Sequence, residues 1–228
     1  IVSAYGLPVA DCEIASFGRH KVLVVTRFDR RFLDNAWWAR LPQEDFCQVY
    51  GLFSEQKYEE KGGPGIASIL DTLRGSDRAE DDRANFLAVQ LLFWMLAAPD
   101  GHAKNFSLFL EPRGGFKLTP FYDLMSAWPV IGKGSRQFQW QKVKLAMAVR
   151  GKNAHYRIAE IRRSHWNAVA KRNAVSSDFE PVIRHFIDMT PAVIDNVAAQ
   201  LPKDFPLSLA EAVFSGMKAQ VKRLANEM

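Results

Sequence analysis

The sequence predicts an α+β fold in which a short β-rich segment precedes a larger, mainly helical part. Residues 8–28 alternate in polarity, are rich in β-branched side chains and carry turn residues at their centre, which is typical of a β-hairpin. From Pro42 onward the pattern is mainly helical. An apolar fraction of 48% and a charged fraction of 24% are those of a folded globular protein, so the composition does not indicate disorder.

The elements are expected in a definite order along the chain. The hairpin pairs a strand near residues 11–17 with a strand over residues 21–25, and the strand pattern ends after residues 27–31. The glycine-rich segment 62–65 lacks the spacing of a phosphate-binding loop and is predicted as the turn that enters a helix. The predicted helices cover residues 43–51, 66–73, 79–97, 140–149, 154–174, 178–199 and 207–226.

The helix predicted over residues 79–97 is apolar on every side in its second half. Such a helix must be surrounded by protein, because an exposed helix keeps one polar face. Pro99 ends it, since the residue before a proline is disfavoured in helical geometry. We therefore expect a buried central helix that delivers the residues after it to a fixed place.

Charge, hydropathy and cysteine content narrow the functional class. The net charge is +5 and the basic residues are scattered, so contact with nucleic acid is expected to be weak or indirect. The longest apolar stretch, residues 86–99, is too short to cross a bilayer, which takes about 20 residues. Cys12 and Cys47 have no metal-ligand spacing and are predicted as free, buried thiols, which suits a cytoplasmic protein.

A second hairpin follows the central helix and is expected to gather polar side chains. Its strands cover residues 106–110 and 116–118, with a turn near Gly114. This turn places Asn105 opposite Tyr122 and close to Asp123, because neighbouring strands lie about 5 Å apart. Asp100 lies one short loop away. Two carboxylates and one amide oxygen then converge, and these are ligands that suit Mg²⁺.

The spacing of these residues matches that of protein kinases. There a catalytic aspartate precedes a metal-binding asparagine by five residues, and a second metal-binding aspartate follows a hairpin later. Asp100, Asn105 and Asp123 fill these places, although each residue alone would be interpreted as a turn or loop residue. Lys104 either neutralises a transferring phosphoryl group or lies on the surface. His102 is expected to be a packing or hydrogen-bonding residue.

Several segments together resemble the HipA-type serine/threonine toxin kinases, in order from about Gly6 to the C-terminus. The resemblance implies a protein-kinase-like fold, with residues 1–29 as the remnant of the N-lobe sheet plus hinge. Residues 30–228 would be the helical C-terminal catalytic lobe. The segments that carry the resemblance are residues 27–31, 41–45, 62–66, 100–107, 118–123, 126–129 and 144–147.

The resemblance also implies an activity and partners. HipA-type kinases transfer the γ-phosphoryl group of ATP to a serine of glutamyl-tRNA synthetase, which produces growth arrest or persistence, and a HipB-type DNA-binding antitoxin partners them. By position, Asp100 resembles the catalytic base and Asn105 and Asp123 the Mg²⁺ ligands. The residues that would contact or frame the ATP nucleotide are the hinge residues Thr26, Arg27 and Phe28, together with Asp29, Gln43 and Lys104.

Other interpretations stay open on the sequence. The chain begins at Ile1, and the N-terminal subdomain, phosphate-covering loop and strand lysine of HipA-type kinases would lie before it. We therefore expect the chain alone to be weak or inactive. A kinase-fold binding module that docks an antitoxin without catalysis is one alternative. A Mg²⁺-dependent phosphohydrolase that uses the same carboxylates is another. It is the weaker alternative, because nothing near Asp123 resembles a phospho-acceptor aspartate motif.

Overall fold

The strands form four small antiparallel sheets within residues 1–34 and 36–227, the part of the chain that the computed structural model describes. Two N-terminal hairpins come first, then a three-stranded sheet, then a C-terminal hairpin. The strands are β1 (Cys12–Phe17) with β2 (His20–Val25), β3 (Arg30–Leu33) with β4 (Trp37–Arg40), β5 (Gln43–Asp45) with β6 (Ser107–Leu110) and β7 (Phe116–Leu118), and β8 (Lys144–Arg150) with β9 (Ala154–Arg157).

Helices supply most of the remaining structure, so the predicted α+β class with a mainly helical large part is confirmed. The two long C-terminal helices lie close to the ranges predicted for them. Within the described residues, no helix is both long and apolar enough to cross a membrane. The helices are α1 (Phe46–Val49), α2 (Ile66–Thr72), α3 (Ala79–Met95), α4 (Arg163–Arg172), α5 (Glu180–Gln200) and α6 (Leu207–Asn226).

Helix α3 forms the centre of the hydrophobic core, as its apolar sequence predicts. Its residues 86–95 are all buried, and its last turn is held by side chains from elsewhere in the fold. The indole N–H of Trp94 donates to the carbonyl of Ile158 at 3.0 Å, and Gln220 donates to the carbonyl of Trp94 at 3.1 Å. The Trp94 ring also packs edge-to-face on Trp166. The C-terminal end of α3 is therefore fixed in place.

Three of the predicted helices are wrong in type over much of their length. Residues 140–149 form a short turn and then strand β8, and residues 154–174 contain β9 before α4 begins. Residues 43–51 divide into β5 and the single turn of α1. Strand β8 is buried from Leu145 to Val149, and a continuously buried apolar run has no periodicity that distinguishes strand from helix. Its Leu, Ala and Met residues favour helix, and tertiary packing overrides that preference.

Two further expectations are corrected near the N-terminus. The strand pattern does not end after residues 27–31, because β3 and β4 form a second hairpin there. Phe32 of β3 pairs with Trp38 of β4, and their rings lie 5.0 Å apart. Cross-strand aromatic pairs of this kind stabilise a hairpin. Cys12 is exposed rather than buried, whereas Cys47 is buried as expected.

Candidate functional site

Asn105 and Asp123 meet at the open end of the β6–β7 hairpin. Asn105 ends a short turn just before β6 and is buried, and its amide Nδ2 donates to Oδ2 of Asp123 at 2.9 Å. Its Oδ1 accepts the backbone N–H of His102 at 3.2 Å. Asp123 is exposed and has a φ of 58°, which is uncommon for a residue other than glycine. The fold therefore holds an exposed carboxylate beside a buried amide.

The register that produces this contact differs by one residue from the prediction. Leu108 pairs with Leu118 and Leu110 pairs with Phe116, so Asn105 does not lie opposite Tyr122. Asn105 and Asp123 still meet, because the second strand leaves the ladder after β7. Phe121 then exchanges backbone hydrogen bonds with residues 8 and 10 of the N-terminal segment. That long-range contact redirects the chain toward Asn105.

Asp100 lies just beyond α3 and is 40% exposed. Its Oδ1 accepts a 2.5 Å hydrogen bond from the hydroxyl of Tyr58, and Nε2 of His102 lies 3.8 Å from the same oxygen. This hydrogen bond to Asp100, together with partial burial, raises the pKa of Tyr58 to about 12. The tyrosine therefore remains a protonated donor at physiological pH. Asp100 presents a carboxylate with one oxygen engaged and the other available.

His102 connects Asp100 to Asn105 through its backbone. Its N–H donates to the carbonyl of Asp100 at 2.9 Å as well as to the side chain of Asn105. The imidazole is buried, and burial lowers its pKa, which the nearby Asp100 and Asp123 carboxylates oppose. Its ring packs edge-to-face on Tyr58. The ring therefore packs as expected, whereas its Nδ1 is buried without a hydrogen-bond partner among the described residues and the hydrogen bonds of His102 come from its backbone.

Lys104 forms an ion pair with Asp45. Its ammonium donates to Oδ2 of Asp45 at 2.9 Å, and this hydrogen bond raises the pKa of Lys104. Asp45 in turn caps α1 through a reciprocal pair of hydrogen bonds with Gln48. Of the predicted residues, Asn105 and Asp123 are brought together directly, Asp100 is joined to them through His102, and Lys104 pairs with Asp45.

The predicted hinge residues lie in the connection between β2 and β3. Asp29 is buried and accepts two hydrogen bonds from Arg27, at 2.8 and 2.6 Å, and another from Arg30. The bonds from Arg27 are the main reason that the pKa of Asp29 is lowered. Thr26 is exposed, and its backbone N–H donates to the carbonyl of Asp11. The carboxylate of Asp29 is thus committed to holding the two arginines.

Phe28 lines an open cleft of about 720 Å³, and this volume is within the range of small-ligand sites. The Phe28 ring contacts both Phe109 and Tyr122, with centroids 5.7 and 5.6 Å apart. Gln43 pairs with Phe109 in the antiparallel β5–β6 ladder, so both side chains lie on one face of the sheet. Oε1 of Gln43 is buried without a hydrogen-bond partner among the described residues. The cleft is lined by Phe28 and Phe109 together with Leu41, Pro42, Lys117 and Pro120.

Sequence reasoning missed two tyrosines that organise this region. Tyr122 donates to the carbonyl of Lys104 at 2.8 Å and shares a hydrogen bond with Ser107, and burial raises its pKa to about 12. Its position beside Asp123 in a motif was the signal that could have indicated it. Tyr58 lies 42 residues before Asp100, and no local pattern connects the two.

The donors at the site are those that a hard cation prefers. Asp123 offers an exposed carboxylate and Asn105 an amide, and Mg²⁺ binds a few protein oxygens and completes its shell with water and phosphate. Among the residues that the structure describes, no cluster of three or more His, Cys, Asp or Glu could hold a metal by itself. The residues present fit an ion that is shared with a phosphate ligand.

Comparison with solved structures identifies the fold as protein-kinase-like. The chain aligns over 99% of its length with the Helicobacter pylori proinflammatory kinase CtkA, covering 78% of that chain with a TM-score of 0.55 and 11% identity. It aligns over 99% of its length with HipA of Shewanella oneidensis, solved in complex with HipB and operator DNA. That alignment has a TM-score of 0.83 and 22% identity and covers 54% of the HipA chain.

The sequence comparisons then define the family. The profile of the HipA-like C-terminal domain matches residues 1–198, and the chain belongs to this family. It is 32% identical over 212 residues to Y4mE of Sinorhizobium fredii, an inferred kinase, covering 86% of this chain and 47% of that protein. It is 32% identical over 141 residues to the serine/threonine-protein kinase toxin HipA of Shewanella oneidensis, covering 55% of this chain and 32% of that protein. The chain thus spans about half, or less, of the length of these relatives.

Proposed function

We propose that this chain is the C-terminal catalytic lobe of a HipA-type serine/threonine kinase that transfers the γ-phosphoryl group of Mg-ATP to a protein serine. The observation that carries the proposal is the 2.9 Å contact between Asn105 and Asp123. The backbone of His102 connects this contact to Asp100, which lies just beyond the buried helix α3. Phosphoryl transfer depends on positioning and charge stabilisation, and this arrangement supports the proposal because it gathers groups that could provide both.

Each of the three residues has a role that its environment supports. Asp100 accepts the proton of the attacking serine hydroxyl on the carboxylate oxygen that Tyr58 leaves free. Asp123 and Asn105 would hold Mg²⁺ through their side-chain oxygens, and the amide of Asn105 would leave its present hydrogen bonds with Asp123 and His102 to do so. Bound Mg²⁺ supplies neutralisation of the charge on the phosphates.

The nucleotide is proposed to bind in the region of Phe28. The backbone of residues 26–28 would meet the adenine, with the rings of Phe28 and Tyr122 beside it. Gln43 offers a buried oxygen without a partner among the described residues, and Asp29 frames the region by holding Arg27. In this proposal residues 1–29 are the N-lobe remnant and hinge, and residues 30–228 are the catalytic lobe. Lys104 would reach the phosphates only by leaving Asp45.

The substrate and partner are proposed from the family. The protein substrate would be glutamyl-tRNA synthetase in the cytoplasm, and phosphorylation of its serine would produce growth arrest as part of a toxin–antitoxin pair. The related HipA of Shewanella oneidensis was solved with HipB and operator DNA. This supports a HipB-like antitoxin as the partner, with any contact to DNA made mainly through that partner.

The replacement of Asp100 by asparagine in the complete gene product tests the proposal. Asparagine keeps the size and a hydrogen-bond acceptor but cannot take the serine proton. We expect the variant to bind ATP and to lose phosphate transfer from labelled ATP to glutamyl-tRNA synthetase. Transfer at the wild-type rate would contradict the proposal.

A second candidate is a binding module that arrests growth by docking another protein without catalysis. It is favoured by exposed apolar side chains on the two N-terminal hairpins, including Phe17, Leu23 and Trp38. The same variant separates the candidates, because growth arrest by binding alone would survive the replacement of Asp100 and arrest by phosphorylation would not.

A further inference from the structure

The segment immediately before α2, residues 57–65, contacts the candidate site from a distant part of the sequence. The hydroxyl of Tyr58 donates to Oδ1 of Asp100, and its ring packs on His102 with centroids 5.1 Å apart. The backbone is attached as well, since the N–H of Ala103 donates to the carbonyl of Lys57 at 3.1 Å. The segment therefore holds the loop after α3 through both a side chain and the main chain.

Glu59 fixes this segment to strand β8. One carboxylate oxygen accepts the N–H of Ala148 at 2.6 Å and the other accepts the guanidinium of Arg150 at 2.7 Å, while the side chain is only 14% exposed. A Cβ at Gly65 would lie 2.5 Å from a Glu59 carboxylate oxygen. A Cβ at Gly63 would lie 2.2 Å from a backbone carbonyl oxygen. The two glycines thus provide the space that the anchored segment needs.

These contacts place Tyr58 at the end of a rigid connection. Strand β8 is buried through Val149, so the anchor point of Glu59 belongs to the core. Tyr58 immediately precedes Glu59 in the chain. Its hydroxyl reaches Asp100, the side chain at the site that must hold a defined orientation to accept a proton. A carboxylate that is 40% exposed would otherwise rotate freely about its terminal bond.

We propose that Tyr58 is a positioning residue for Asp100. Its hydroxyl fixes one carboxylate oxygen and thereby directs the other toward the acceptor hydroxyl. The inference rests on the proposed kinase function and adds to it a residue of the segment 57–65. Small misplacements of a reacting group reduce rates strongly, so the loss of this hydrogen bond should affect turnover. It should affect stability little, because a bond to a partly exposed carboxylate contributes little to folding.

The test replaces Tyr58 by phenylalanine in the complete gene product and measures kcat, KM for ATP and Tm. We expect kcat for transfer to glutamyl-tRNA synthetase to fall about 10- to 30-fold, or ~1.4–2 kcal/mol at 1.36 kcal/mol per tenfold. KM for ATP and Tm should be unchanged. Tyr50→Phe is the matched control, because the Tyr50 hydroxyl is likewise hydrogen-bonded, in its case to Ser68 and Thr72 away from the candidate site. It should leave kcat unchanged.

The possible results separate the inference from the function on which it rests. An inactive Asp100→Asn variant beside a fully active Tyr58→Phe variant would overturn the positioning role and leave the kinase proposal intact. A fall in kcat that is accompanied by a clear fall in Tm in Tyr58→Phe would also overturn the positioning role, since the two together indicate a structural role. If Tyr58→Phe fails to fold, Glu59→Gln tests the inference instead, because Glu59 anchors the segment that carries Tyr58. We expect it to lower kcat with KM for ATP unchanged, and an unchanged kcat would refute the connection through Glu59.

Discussion

Replacing Asn105 by alanine separates the stability of the site from its chemistry. The side chain makes two hydrogen bonds, one to the exposed carboxylate of Asp123 and one from the backbone N–H of His102. That N–H also donates to the carbonyl of Asp100, so it keeps a partner in the variant. The loss of stability should therefore be about 1–2 kcal/mol. For a domain of this size, that corresponds to a fall in Tm of about 2–8 °C.

The effect on activity should be much larger than the effect on stability. If Asn105 helps to hold the cation that neutralises the phosphates, its removal takes away a charge-stabilising contact made in the transition state. Removing one such contact lowers kcat by about 100- to 1,000-fold. The assay is phosphate transfer from labelled ATP to glutamyl-tRNA synthetase in the complete gene product, with Tm measured by calorimetry on the same samples.

Asn167 of α4 provides a matched control outside the candidate site. Its amide also donates to a carboxylate, that of Glu180. Asn167→Ala should lower Tm by a similar amount and leave kcat unchanged. The reasoning would be refuted if Asn105→Ala kept the wild-type kcat, or if both variants lost activity in proportion to their loss of stability.

Two further predictions concern stability. Glu180→Ala leaves the buried guanidinium of Arg163 without its carboxylate partner, which should cost about 3 kcal/mol, the lower end for a buried pair, because Glu180 is 27% exposed. Calorimetry should show a clear fall in Tm for Glu180→Ala. Glu160→Ala is the control, because it breaks the exposed ion pair with Arg157 and should leave Tm almost unchanged. Burial, helped by the neighbouring His155 and Arg162, lowers the pKa of His165 below its ordinary value of 6.5, and Glu227 opposes this. The unfolded chain therefore binds the His165 proton more tightly, so stability should be lost as the pH falls below about 6.5. His165→Gln keeps an acceptor for the N–H of Arg162 and should show a smaller drop in Tm between pH 7.5 and pH 5.5, and an equal drop would contradict the assignment.

The sequence determined the parts of the fold that depend on local pattern. The β1–β2 hairpin follows from alternation and a glycine turn, and the buried helix α3 follows from a second half that is apolar on every side. The candidate site could be predicted because Asp100, Asn105 and Asp123 lie within one helix–hairpin unit, where short connections limit how far apart they can be. Their spacing, rather than any single residue, carried the information.

Tertiary structure alone decided the features that depend on distant contacts. Strand β8 has a helix-favouring composition, and its packing against the rest of the core makes it a strand. The redirection of residues 119–123 depends on pairing with the N-terminal segment, and the contact of Tyr58 with Asp100 joins residues 42 positions apart. Local sequence carries no record of such contacts, because the free energy that selects them comes from burying side chains that meet only when the whole chain has folded.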